Sequence, residues 1–155
     1  MKGKNSSNIN YVIEYFEKSK PVYNILLHGY KHLGYHPKGK RISDMKAVLL
    51  MQDLVAKKLK LSKSMKVLDA GCGEGLTSAY LAQKFSCIVH GISVIPFEIE
   101  RAKLLGRKSN LTNKVFYSLM NYTNTSFEDN YFDAVFTLEA FVHSYDTKKT
   151  LKEFY

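Results

Sequence analysis

The stretch Val67-Leu68-Asp69-Ala70-Gly71-Cys72-Gly73-Glu74-Gly75 sets an apolar run against an acid and then places glycine at every second position. Few folds can use such a stretch. Its first half reads as a buried strand. Its second half has almost no side chains, so bare backbone N–H groups can turn toward an anion. The helical pattern LTSAYLAQKF follows at once, and strand, glycine loop and helix in that order open a ligand-binding α/β unit. A nucleotide, a dinucleotide and a sulfonium cofactor each suit such a loop, and each implies a different protein.

The chain around the loop changes character after Lys66. Residues 1–10 read as a loose tail, and Tyr11 to Leu27 as one or two short helices broken near Pro21. Residues 34–42 form a loop punctuated by Gly34, Pro37 and Gly39. Ser43 is placed as the N-cap of a helix with Met45, Val48, Leu49, Gln52, Val55 and Leu59 on one face. From Lys66 onward short apolar runs (KVLDA, CIVHGI, KVFYS, FDAVFT) alternate with helical ones (LTSAYLAQKF, and FEIERAKLLGRK behind Pro96), and DTKKTLKEFY begins a last helix. This alternation predicts an α/β fold with a Rossmann-like parallel sheet and right-handed crossovers. A helical N-terminal segment over 1–62 is expected to precede a ligand-binding domain over 63–155, around one core.

The net charge of +9 gathers at Lys38, Lys40 and Arg41, and at Lys57, Lys58, Lys60, Lys63 and Lys66. Such clusters can attract an anionic substrate or make peripheral contact with an acidic membrane, or they are solvated faces. No aromatic–basic signature accompanies them, so no nucleic acid partner is expected. No secretory leader or membrane-spanning apolar run is visible, and Cys72 and Cys87 make no disulfide framework. A cytoplasmic setting fits. His28, His32 and His36 are spaced by four, but Gly29, Gly34 and Pro37 oppose the helix a metal row would need, so no metal is expected.

Loop spacing narrows the ligand. G-x-G-x-G is not the G-x-G-x-x-G of dinucleotide enzymes, and no G-K-[S/T] follows for a terminal phosphate. Asp69 would repel a pyrophosphate and suit an ammonium group, and a ligand with carboxylate and ammonium together is an amino acid. At Asp69 to Gly75 the chain resembles the class I S-adenosylmethionine-dependent methyltransferases, whose first motif it matches without departure. The resemblance implies that Gly71, Cys72, Gly73 and Gly75 cradle the methionine end of the cofactor, with Asp69 contributing in part through water.

Two further segments extend the resemblance over roughly residues 66–155. The run HGISVIPFEIERA resembles the "G-I-T-L-S-P-E-Q" segment of the sterol, tocopherol and cyclopropane-fatty-acid group, which implies that Ser93 and Glu98 share the ribose. The rival reading leaves Glu98 solvated at its helix N-terminus. Asn121 is placed at the adenine, accepting through its amide oxygen, and Tyr122 beside the ring, with ordinary turn chemistry as the alternative. SFEDNYFDAVFTLEAFVHSYD resembles the run into the fourth strand of small-molecule and lipid methyltransferases, with Glu139, His143 and Asp146 in an E-x-x-x-H-x-x-D pattern. His143 is the candidate base and Glu139 its partner or a binder of positive charge. On a helix the two share a face, and a purely structural pair is the alternative. LLHGYKHLGY (Leu26 to Tyr35) resembles the lid of the same group, with Tyr11, Tyr15, Tyr23, Tyr30 and Tyr35 as candidate faces for a cationic centre.

The expected function is in-line methyl transfer from S-adenosylmethionine to a small-molecule or lipid-like acceptor. The alternatives are an NAD(P)-dependent oxidoreductase, opposed by the loop spacing and Asp69, and a non-catalytic cofactor-binding module. The resemblance also implies three strands beyond the fourth. FDAVFT is therefore expected to be an exposed apolar edge, in an N-terminal portion of a methyltransferase or in a chain whose sheet a partner chain completes.

Overall fold

In the computed structural model, residues 9–19 and 30–155 are described. Residues 9–19 are helical (α1), and the break placed near Pro21 lies outside the described residues. Ser43 caps the next helix, α2 (Asp44–Leu59), its hydroxyl accepting the Lys46 amide at 3.3 Å. Lys60 ends that helix in the left-handed region, leaving Lys57 and Lys58 at the favourable end of the dipole.

The remaining elements follow as β1 (Lys66–Ala70), α3 (Leu76–Phe85), β2 (Ile88–Ser93), α4 (Pro96–Lys108), β3 (Val115–Leu119), β4 (Ala134–Phe136), a single 3₁₀ turn (Phe141–His143) and α5 (Thr147–Phe154). The four strands are parallel, in the order β3-β2-β1-β4. The expected α/β sheet is therefore present, with two local differences. β4 holds three residues rather than six, and the crossover from β3 to β4 is built from turns over residues 120–133 with no helix. The Lys66 amide donates to the Asp133 carboxylate at 2.7 Å and the Asp133 amide to the Lys66 carbonyl at 2.8 Å, which fixes where β4 joins β1.

Period-two alternation along the strands divides the apolar residues between two faces. Val67 and Val89 pack against Leu81 and Ala82 of α3 and Ala102 of α4. Leu68, Ala70 and Ile92 point the other way, under Met120, Phe127, Phe132 and Phe154. β1 is flanked on both sides, and the chain reverses direction across the sheet there, stepping outward through β2 and β3 and returning to β4. Open α/β sheets bind ligands at the carboxyl ends of strands around such a reversal. No helix among the described residues is long and apolar enough to cross a membrane.

Candidate cofactor and acceptor site

A cleft of about 730 Å³, counting the solvent in its mouth, opens at the carboxyl ends of the strands. Residues from α1, the 30–35 segment and the loops after all four strands line it, including Gly71, Gly73, Ser93, Glu98, Asn121, Tyr122, Glu139 and His143. A smaller recess beside it reaches Asp69, Cys72 and Tyr30. Of the candidate cofactor and catalytic residues, all but Gly75 line one of these two adjoining spaces, and Gly75 instead packs against Tyr117 and Ala102.

The glycine loop is held from below and open above. Gly71, Gly73 and Gly75 all have positive φ. A Cβ on Gly71 would come within 2.2 Å of the Ala140 Cβ, so this glycine lets the loop after β4 close on the loop after β1. Gly73 would meet only the Lys31 side chain, at 3.1 Å, and it is the glycine whose bare face turns to the cleft. Cys72 points down into the core. Burial pushes its thiol well above its ordinary value, so it contributes backbone and no nucleophile.

Asp69, at the end of β1, is 2% exposed and accepts the Ser78 hydroxyl at 2.6 Å. Burial pushes its carboxyl up to about 7, against the opposing effect of that hydrogen bond. Across the cleft the Ser93 hydroxyl donates to Glu98 at 2.8 Å and accepts the Ile95 amide at 3.2 Å. Glu98 is 3% exposed, which removes the solvated reading, and burial raises its carboxyl despite Ser93 and Lys31. The two residues assigned to the ribose are thus already one hydrogen-bonded unit.

Three expectations are modified by the local geometry. Asn121 lines the cleft, but its amide oxygen accepts the Thr123 amide and hydroxyl at 2.9 and 2.8 Å, the turn chemistry weighed against an adenine contact. Tyr122 also lines the cleft, and its hydroxyl donates to the Ala140 carbonyl at 3.0 Å. Glu139 and His143 are not four apart on a helix: Glu139 has φ 56 and precedes the 3₁₀ turn that ends at His143. Glu139 instead accepts the Leu33 amide at 2.8 Å. The His143 ring packs edge-on against Phe16, with centroids 5.3 Å apart, and burial holds its imidazole below the ordinary value.

The histidine row and the tyrosines also resolve individually. His28 and Tyr23 lie outside the described residues. His32 is buried against the Thr77 hydroxyl at 3.2 Å, which also receives the Gln52 amide, and His36 faces Asp44 at 3.6 Å. No group of three or more metal-ligating side chains gathers among the described residues. Tyr30 borders the recess, whereas Tyr11, Tyr15 and Tyr35 are exposed. Sequence reading missed Lys31, whose side chain enters the cleft 3.9 Å from Glu98; one lysine among many carries no local signal.

A parallel sheet with a glycine loop, a cleft and buried acids at its carboxyl edge defines an α/β protein of the open-sheet class. Residues 68–155 match the methyltransferase domain family, and the chain belongs to it. Methyltransferase GfsG of Streptomyces halstedii is 27% identical over 141 residues, covering 90% of this chain and 51% of that protein. The sterol 24-C-methyltransferase of Clavispora lusitaniae is 28% identical over 138 residues, covering 84% and 36%. Among solved structures, the 4+2 cyclase SpnF superposes with a TM-score of 0.85 at 25% identity, over 92% of this chain and 53% of that one. The chain thus spans about half the length of GfsG and about a third of the sterol enzyme.

Proposed function

We propose that this chain holds S-adenosylmethionine and forms the cofactor side of a methyltransferase for an apolar small-molecule or lipid-like acceptor. The observation that carries the reading is the pairing of two buried acids across one glycine cradle. Asp69 lies in the recess behind Gly71, and the Ser93–Glu98 unit lines the cleft beyond Gly73. That spacing of carboxyl groups suits a ligand with an ammonium at one end, whose charge favours the ionised form of Asp69, and a vicinal diol further along. It repels a pyrophosphate, which argues against the oxidoreductase alternative.

When bound, the cofactor supplies a methyl group on a positively charged sulfur, and its transfer returns the C–S electron pair to that sulfur. The chain's own residues align and desolvate. Asp69 opposes the ammonium, Glu98 and Ser93 accept the ribose hydroxyls, and Asn121 and Tyr122 border the adenine. Ile9, Val12, Phe16, Val94 and Ile95 give the rest of the cleft an apolar wall, which favours an apolar acceptor. His143 is kept neutral by burial and receives a proton from an acceptor that must lose one. The two buried, unpaired thiols suit a reducing, cytoplasmic setting.

Calorimetric titration with S-adenosylhomocysteine tests the cofactor reading, with NADH and a Glu98→Ala variant as controls. Binding of the homocysteine compound alone, weakened in the variant, is expected. A folded chain that binds NADH, or neither ligand, would overturn it. Transfer of a labelled methyl group from S-adenosylmethionine to a lipid extract then separates an enzyme from a binding module.

A further inference from the structure

We propose that Glu139 is a positioning residue whose carboxylate latches the 30–35 segment across the cofactor cleft; the role within that cleft rests on the reading above. Its Oε1 accepts the Leu33 amide at 2.8 Å, joining residues 106 positions apart. Glu139 does so from a left-handed backbone, φ 56, that a side-chain-bearing residue rarely adopts. Non-glycine residues held this way persist where surrounding structure fixes them, and they gather at ligand clamps. Here the surroundings are explicit. The next residue, Ala140, lies against Gly71, and its carbonyl is held by the Tyr122 hydroxyl. The post carrying the carboxylate is therefore tied to the glycine loop itself.

The far side of the latch is equally defined. His32 is buried on Thr77, one residue into α3, and its ring also bonds the Leu33 carbonyl at 3.0 Å. Gly34 lies so close to α2 that a Cβ would come within 2.4 Å of the Ala47 Cβ, and the Tyr35 amide donates to the Ala47 carbonyl at 2.9 Å. The segment is thus rooted from His32 to Tyr35, and Lys31 extends from that root over Gly73. The Leu33 amide is the contact by which the segment grips the opposite wall of the cleft. Leu33 is 61% exposed, so water can take the amide when the carboxylate lets go. With His32 to Tyr35 as the fixed root, the part that yields for each ligand exchange is Lys31 over Gly73, and a contact at Leu33 that water can replace suits such yielding.

Because the donor is a neutral amide, the role needs an oxygen at this position and no charge. Glu139→Ala should speed hydrogen exchange of the Leu33 amide, and dissociation of S-adenosylhomocysteine, by about tenfold each, the worth of one hydrogen bond to a carboxylate. Glu139→Gln should restore most of both, because its amide oxygen still accepts. The unfolding constant from urea titration should rise by no more than the same tenfold, since the bond lies outside the core. Unchanged Leu33 exchange in Glu139→Ala would overturn the latch. So would a Glu139→Gln variant as impaired as Glu139→Ala, which would point to a charge-dependent role. If the unmodified chain binds no S-adenosylhomocysteine, the cofactor reading fails, and Leu33 exchange still decides the latch.

Discussion

The Lys31 ammonium stands 3.9 Å from the Glu98 carboxylate, and both side chains are largely out of water, at 13% and 4% exposed. The cation comes from the 30–35 segment and the anion from the first turn of α4, so the pair joins two walls of the cleft. Removing one partner of a buried pair leaves the other charge in an apolar setting. Lys31→Met and Glu98→Gln should each lower stability, and the double variant should lose less than their sum, by about 1–2 kcal/mol. Urea unfolding of the four proteins measures that coupling, and strict additivity would show that the pair is not formed.

The glycines of the loop should separate folding from binding. Gly71→Ala forces a methyl group onto Ala140, and with φ 99 it should cost about 2 kcal/mol or more in urea unfolding. Gly73→Ala meets only the flexible Lys31 chain and should cost about 1 kcal/mol, the left-handed backbone alone. Its methyl group projects into the cleft, so S-adenosylhomocysteine affinity should fall at least tenfold in a protein that still folds. Titration and unfolding of the same two variants read both effects.

Asp69 makes stability and binding run in opposite directions with pH. Its folded value, about 7, lies above its ordinary value of 3.8, so the folded chain binds a proton that the unfolded chain has released. This group's contribution is fully present below about pH 4 and is lost as pH rises to about 7, at about 1.4 kcal/mol per pH unit, or about 4 kcal/mol in all. Ionised Asp69 is the form that opposes an ammonium, so S-adenosylhomocysteine affinity should rise over the same window. Asp69→Asn keeps an oxygen for Ser78 and should flatten both profiles; urea unfolding and calorimetry from pH 4 to 8 test this.

His143 predicts the acid limb of turnover. Burial among Phe16 and the cleft wall lowers its protonation below the ordinary imidazole value. On the proposed reading of His143 as the base, it is neutral throughout the neutral range, and rate should fall only on the acid side. His143→Asn should lower the rate constant about 100-fold or more for an acceptor that must lose a proton, and it should leave S-adenosylhomocysteine affinity near its original value. A pH series of labelled methyl transfer distinguishes this from a structural role.

Much of the site was legible because its signals are local. Asp69 and the glycines follow one strand, and Ser93 and Glu98 lie five residues apart, so a short segment carried both and the structure bonds them. Asn121 was ambiguous for a physical reason: an amide next to a turn can serve its own backbone, and Thr123 claims the oxygen. Glu139 and His143 would share a face only on a helix, and no helix spans the two. The left-handed turn there is fixed by Ala140 against Gly71, a contact 69 positions long that no local pattern encodes. Lys31 and Leu33 were invisible as site residues for the same reason, since their partners Glu98 and Glu139 are distant in sequence.

The strand order β3-β2-β1-β4 has a further consequence. The glycine cradle and the Ser93–Glu98 unit belong to the chain before Ser109, and Asn121, Glu139 and His143 to the chain after it, so the turn at residues 109–114 divides the cleft into two halves of different sequence. Cut there, the first piece would carry β1 and β2, paired with each other and bare at both edges, and the second β3 and β4, which pair only with those two edges. The architecture is in this sense a ready-made complementation pair, in which ligand occupancy could be reported by reassembly.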